Sequence, residues 1–186
     1  MLTRGISRLR EGITFFKQFS IHPRSVGSII PSSVALCRAI LKTVDWNTAN
    51  RVSELGAGTG VLTHHILSAL LPNGNLDIFE INQILSKKLK NIKDSRLRVY
   101  ESSAVELTGN YDVIISGLPL LSLPSNLREQ ILQKIHLSLI PGGVFVQYLF
   151  SSLPQPMISR YFVWQRRLVF RNFPPAWVYR CTHQYR

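Results

Sequence analysis

Residues Arg51–Gly60 read RVSELGAGTG, and the fold turns on them. Arg51 to Leu55 predicts a short buried strand. It runs into a turn that carries Gly56, Gly58 and Gly60 in GxGxG spacing. Val61 to Leu71 then has helical spacing and stops at Pro72-Asn73-Gly74. Glycines between a strand and a helix let backbone N–H groups approach a ligand closely. An acid, Glu54, stands at the head of the turn. A second acid, Glu80, closes the next strand. The plain alternative is a tight turn with a surface acid; the strand and helix on either side weigh against it.

Working outward, strand and helix alternate. Leu76 to Glu80 reads as a strand, Gln83 to Ile92 as a helix and Leu97 to Glu101 as a strand. Tyr111 to Ile115 is a strand that leads into the uncharged loop Ser116–Pro124, SGLPLLSLP. A helix over Leu127 to Leu139 closes at Pro141-Gly142-Gly143, and Val144 to Leu149 is a strand. Met157 to Trp164 reads as a helix. Arg167 to Phe173 and Ala176 to Cys181 read as two strands joined at Pro174-Pro175. Upstream, Ser32-Ser33 caps a helix that begins VALCRAILKTV. The alternation predicts an α/β fold: a mostly parallel sheet covered by helices on both faces, with ligands at the carboxyl ends of its strands.

The chain has 186 residues, enough for one domain with a full core. Hydrophobic residues make up 45%, so the chain folds. Lys and Arg number 22 against 10 Asp and Glu, a net charge of +12. That excess implies an anionic partner, a nucleic acid or an anionic membrane surface. Cys37 and Cys181 lie far apart without metal-ligand spacing and read as free thiols; no metal site is expected. No apolar run reaches the roughly 18 residues of a membrane-spanning helix.

The two acids separate the nucleotide ligands. A carboxylate at Glu80 can accept both hydroxyls of a ribose. Dinucleotide sites usually use GxGxxG. GxGxG headed by an acid instead resembles the first motif of the class I S-adenosylmethionine-dependent methyltransferases. That resemblance implies a seven-stranded sheet with an antiparallel last strand. It also implies that Gly56, Ala57, Gly58, Thr59 and Gly60 line the cofactor. Glu54 would sit near the methionine ammonium, with Glu80 and Ile81 at the ribose. The adenine contact in that family is usually an Asp after the third strand. Here Glu101-Ser102-Ser103-Ala104 stands there, so Ser103, with Ala104 beside it, takes that place. Ser116 and Ser28 complete the implied cofactor site.

ELGAGTGVLT resembles the branch that contains ribosomal RNA adenine dimethylases. Those place an Asn-[Ile/Leu]-Pro-aromatic motif after the fourth strand. Here Gly117 stands at the Asn position, Pro119 matches and Leu120 replaces the ring. Such enzymes grip an extruded base by stacking, so a base loses its platform. HPRSVGSIIPSS, ELGAGTGVLT, SGLP, LIPGGVFVQY and RNFPPAWVYR together resemble bacterial phospholipid N-methyltransferases, from about Phe15 to Arg180. That resemblance implies stepwise methylation of phosphatidylethanolamine towards phosphatidylcholine, with no obligatory nucleic acid. The RNA adenine methyltransferase is the competing enzyme reading. A basic membrane- or RNA-binding protein with a relic pocket is the non-enzyme one.

The chemistry sets conditions on the loop. A primary ammonium with a pKa near 10.4 is neutral to only on the order of one part in a thousand at pH 7. An apolar lining disfavours its charge, and alignment for in-line displacement does much of the remaining work. Gly117, Leu118 and Pro119 form that lining, with the Gly117 and Leu118 carbonyls as acceptors for the amine protons. Tyr148 is the candidate to orient the nitrogen and to face the methylated cations. Arg24, Arg180 and Tyr179 are the candidates for the lipid phosphate. His22 reads as a turn residue, and Ser28, Ile29 and Ile30 as a lid by resemblance.

Leu2, Ile6, Leu9, Ile13, Phe16 and Phe19 recur in steps of three and four and give residues 2–19 one apolar helical face. A basic amphipathic helix lies in a membrane interface; the bland alternative is packing on its own core. The Arg-rich, acid-poor start also has the composition of a mitochondrial transit peptide. The expected organisation is a membrane-contact helix over residues 1–20 and one methyltransferase domain over 21–186. The expected place is the cytoplasm, bound peripherally to the inner membrane.

Overall fold

The computed structural model describes residues 33–153 and 155–183. In chain order these form α1 (Val34–Leu41), β1 (Arg51–Leu55), α2 (Val61–Ala69), β2 (Asn75–Phe79), α3 (Gln83–Lys90) and β3 (Leu97–Tyr100). Then come β4 (Tyr111–Ser116), α4 (Ser125–Ser138), β5 (Leu139–Leu149), α5 (Gln155–Ser159), β6 (Phe162–Val169) and β7 (Ala176–His183). Short 3-10 turns cover Ala104–Glu106 and Leu120–Ser122. The strands form one sheet in the order β3-β2-β1-β4-β5-β7-β6. Neighbours pair parallel except where β7 pairs with β5 and β6. This is the expected sheet with a reversed last strand.

Local chemistry explains the helix ends. The Ser33 hydroxyl accepts from Leu36 N at 3.2 Å and starts α1. The Asn82 side chain accepts from Ile84 N and Leu85 N and starts α3. Each such cap is worth about 1 kcal/mol. The last turn of α2 carries no basic residue. Arg96 supplies the missing charge from a distant loop. Its guanidinium donates to Leu70 O at 2.9 Å and Leu67 O at 2.8 Å, and Asp94 holds it at 2.7 Å.

Side chains alternate across the sheet, so two apolar layers form. Val52, Ile78, Val113 and Val146 pack under α1 and α2 on one face. Leu55, Ile114, Phe145 and Tyr179 pack under α4 on the other. Cys37 is buried in the first layer and Cys181 in the second, and both are free.

Three elements differ from the sequence reading. Pro141-Gly142-Gly143 is not a closed turn before β5 but lies inside its start. The step from Leu139 to Val144 faces only the step from Tyr111 to Val113 on β4, so the Pro-Gly-Gly segment bulges there. The sixth strand is Phe162–Val169 rather than Arg167–Phe173, and the preceding helix is Gln155–Ser159 rather than Met157–Trp164. Packing decides this. Phe162 lies 5.3 Å from the Phe145 ring and Trp164 lies 5.7 Å from Tyr179, both on the α4 side. Only a strand puts those two on one face.

Candidate functional site

The parallel strands deliver their carboxyl ends to one rim, where the chemistry-bearing residues collect. Gly56, Gly58 and Gly60 all have positive φ, at 73°, 58° and 84°. An L side chain rarely adopts that conformation. A Cβ on Gly58 would meet nothing within 4 Å, so the backbone faces open space there. A Cβ on Gly56 would lie 2.7 Å from Leu118 Cδ2. The glycine turn therefore packs directly on the loop after β4.

Glu80 joins the turn to the end of β2. Its Oε2 accepts from Gly58 N at 3.0 Å and its Oε1 accepts from Asn82 N at 2.8 Å. Burial pushes its pKa up, and the backbone N–H groups of Asn82, Gly58 and Ile81 pull it back. Each carboxylate oxygen keeps a further acceptor position. Half-buried Ile81 follows it. Ser103 caps the 3-10 turn after β3, accepting from Val105 N at 3.4 Å, and Ala104 is buried behind it.

Glu54 is 1% exposed. Its Oε2 accepts from Thr63 Oγ1 at 2.7 Å, and its Oε1 is buried without a partner. Burial pushes its pKa up to about 7; the Thr63 hydroxyl pulls down and the Glu80 charge pushes further up. A buried carboxylate oxygen with no donor suits a cationic ligand group. Together the orphaned Glu54 oxygen, the open face of Gly58 and the spare acceptors of Glu80 fit an amino-acid ammonium and a ribose. The residues present fit S-adenosylmethionine.

The loop after β4 lies beside this cradle. Gly117 N donates to Leu55 O at 3.0 Å. A Cβ on Gly117 would lie 2.7 Å from Tyr148 Cζ and 3.3 Å from Gly56 O. Tyr148, Gly117 and the glycine turn thus meet. Pro119 is half-buried at the head of the 3-10 turn. Leu120 and Leu123 are buried in the α4 layer, and Leu121 is the leucine left 38% exposed. Ser116 turns inward, its hydroxyl accepting from Leu118 N at 3.2 Å.

Three expectations change. The Leu118 carbonyl accepts from Leu120 N at 2.8 Å and from Gln147 Nε2 at 3.1 Å. Both lone pairs are used, so the Leu118 carbonyl is not free for an amine and Gly117 is the candidate of that pair that remains. Tyr179 is 1% exposed in the α4 layer, and its hydroxyl accepts from Leu153 N. Arg180 lies on the opposite face and donates to Thr43 O at 3.0 Å, beyond the end of α1. The two side chains leave β7 on opposite faces, so Tyr179 and Arg180 form no common phosphate site. Arg24, Ser28, His22, Ile29, Ile30 and the apolar row from Leu2 to Phe19 lie outside the described residues.

Sequence reasoning missed Gln147 and Thr63. Gln147 is fully buried. Its Nε2 bridges Leu118 O and Tyr148 O, which ties the two candidate catalytic segments together. A glutamine inside VFVQYL was the available signal: a polar residue in a buried strand needs partners. Thr63 carried no signal beyond following Gly60. Among the described residues no cluster could hold a metal ion, and no helix is long and apolar enough to cross a membrane.

No family model matches the chain. It is 29% identical over 185 residues to the ornithine lipid N-methyltransferase of Singulisphaera acidiphila, covering 93% of this chain and 96% of that protein. The Burkholderia thailandensis 1,6-didemethyltoxoflavin-N1-methyltransferase, solved with that substrate and S-adenosylhomocysteine, superimposes with a TM-score of 0.74. It is 17% identical, over 96% of this chain and 90% of that one. The N-methyltransferase NodS from Bradyrhizobium japonicum WM9, in complex with S-adenosylhomocysteine, gives a TM-score of 0.67 at 13% identity. That match covers 80% of this chain and 86% of NodS. The fold is that of the class I methyltransferases, and both solved neighbours bind S-adenosylhomocysteine.

Proposed function

We propose that this chain uses S-adenosylmethionine to methylate the amine of a membrane lipid, phosphatidylethanolamine and its methylated forms being the acceptors expected from the sequence. The observation that carries this is the junction of Gly56, Gly117 and Tyr148. In it an uncharged loop, a backbone carbonyl and an aromatic ring lie against the glycine turn. The ornithine lipid N-methyltransferase relative supports the class of acceptor. Ornithine lipid and phosphatidylethanolamine both present a primary amine on a lipid. Leu120, at the place of the base-stacking ring, is buried in the core, which favours a lipid over a nucleobase.

When bound, S-adenosylmethionine supplies a methyl group on a sulfonium, open to attack by a neutral amine. Glu54 would hold its ammonium and Glu80 its ribose. The leucines of the loop exclude water and lower the amine's pKa. The ammonium sheds its proton to solvent before transfer; the Gly117 carbonyl then accepts a hydrogen bond from the neutral amine's N–H and the Tyr148 ring bounds the nitrogen's position, so the lone pair points in line. As methyl groups accumulate, the same ring faces a fixed cation. Gln147 positions both segments by bonding their carbonyls. Arg24 remains the phosphate candidate. Residues 1–20 are the proposed membrane contact, holding the enzyme at the cytoplasmic face.

Radiolabelled S-adenosylmethionine with liposomes of phosphatidylethanolamine, and separately of ornithine lipid, tests the reading. Label in either lipid supports it, and head-group separation identifies the acceptor. Cofactor binding by calorimetry with no labelled lipid in either arm would sink it; label in RNA would promote the adenine methyltransferase instead.

A further inference from the structure

The turn between β6 and β7 carries a surface that the reaction does not use. Phe170 is 76% exposed and Phe173 is 90% exposed, the latter the most exposed large apolar side chain among the described residues. Two phenylalanines held out by a short turn need a reason, because isolated exposed apolar residues are common but paired rings at a tip are not. The turn is pinned. Asn172 is 2% exposed, its Nδ2 donates to Pro174 O at 2.7 Å, and its Oδ1 accepts from Ser33 N at 3.1 Å. The rings therefore project from a fixed base.

Register fixes where they project. Trp177 pairs with Leu149 of β5 and with Leu168 of β6. The turn is thus level with the carboxyl end of β5, one residue beyond Tyr148, and Phe150 there is 40% exposed. The exposed rings and the candidate reaction site share one rim.

Beside the turn lies a groove of about 470 Å³ between α1 and the end of β6. Arg38, Lys42, Arg167 and Arg171 line it together with Val169 and Phe170. All four cations are exposed, and none forms an ion pair among the described residues. Among the described residues no acid lines the groove. Aromatic tips flanked by uncompensated cations complement a bilayer with anionic head groups: rings enter the acyl boundary and cations meet phosphates.

We propose that the β6–β7 turn and this groove form a docking surface for an anionic lipid bilayer, separate from residues 1–20. It rests on the lipid reading above and extends it. Docking there sets the rim that holds Gly117 and Tyr148 facing the membrane, so an aminolipid reaches the site without leaving the interface.

The test uses the full chain and vesicles of phosphatidylcholine with or without phosphatidylglycerol. Phe170→Ser/Phe173→Ser lowers flotation with anionic vesicles roughly tenfold or more. Arg38→Gln/Arg171→Gln removes much of the preference for anionic over neutral vesicles, also by about tenfold. Both variants keep methyl transfer to detergent-dispersed aminolipid, because neither touches the site. In a second measurement, Phe170→Cys is labelled with an environment-sensitive fluorophore; Cys37 and Cys181 are buried and stay unlabelled. Its emission shifts to the blue on adding anionic vesicles. Wild-type flotation in both variants, or emission unmoved by vesicles, overturns the docking surface and leaves the lipid reading standing. Emission already blue-shifted without vesicles means another part of the chain or a second copy covers the turn, and also overturns it. A blue shift on vesicle addition with no methyl transfer to any lipid keeps the docking surface and removes the proposed function.

Discussion

Glu80 accepts a hydrogen bond from the Gly58 N–H at 3.0 Å, so the end of β2 holds the middle of the glycine turn in place. A backbone bond to a carboxylate is worth roughly 1.5–3 kcal/mol. Glu80→Ala removes it together with the ribose acceptors. S-adenosylmethionine affinity by calorimetry then falls about ten- to a hundredfold or more. Glu80→Gln keeps one oxygen acceptor and loses less. Equal affinity in all three proteins would show that the carboxylate plays no part in the cradle.

Glu54 gives the binding a pH dependence. Its carboxyl sits near pKa 7 in the folded chain, above the usual carboxylate value of 4.5, because it is buried. A raised carboxyl binds its proton more tightly folded than unfolded. Its contribution to stability is therefore full below about pH 4.5 and is lost as pH rises through about 7. The ligand ammonium needs the ionised form. S-adenosylmethionine affinity consequently rises from pH 6 to pH 8, by at most about tenfold per pH unit below the pKa. Glu54→Gln weakens binding and flattens the profile. A wild-type profile flat over that range contradicts the role.

Gly117 and Tyr148 occupy each other's space. In Gly117→Ala the new methyl meets the Tyr148 ring end and lies 3.3 Å from Gly56 O. Overpacking of this kind costs about 1–3 kcal/mol, and it also displaces the ring. Methyl transfer falls at least about tenfold while cofactor affinity changes less. Tyr148→Ala on the Gly117→Ala background restores thermal stability without restoring transfer. A fully active Gly117→Ala protein would remove the junction from the mechanism.

Arg96 tests the fold away from the rim. Arg96→Met leaves the last carbonyls of α2 and the Asp94 carboxylate without their donor. Hydrogen bonds to a charged group predict a loss of about 1.5–3 kcal/mol, read as a lower urea midpoint at unchanged slope. Cofactor affinity per folded molecule stays the same.

The sequence carried the central sheet clearly. Strands β1 to β4 are short apolar runs bounded by turn residues, and each connecting helix has its own stop signal. The far end was harder to read. Met157 to Trp164 has apolar residues at mixed spacing, and only contact with Phe145 and Tyr179 selects a strand from Phe162. The cradle at Gly58 and Glu80 was legible because it is a local motif repeated by strand spacing. The occupied Leu118 carbonyl was not, since its second donor, Gln147, comes from 29 residues away. Tyr179 and Arg180 misled because adjacency in a strand sends side chains to opposite faces.

The outermost strands, β3 and β6, have no further strand partner among the described residues. Exposed Arg98 lies on one, and exposed Arg166 and Arg167 lie on the other. Like charges at both edges make an edge-to-edge meeting of two molecules repulsive and keep their strands from pairing. Crowding therefore leaves each copy a separate sheet.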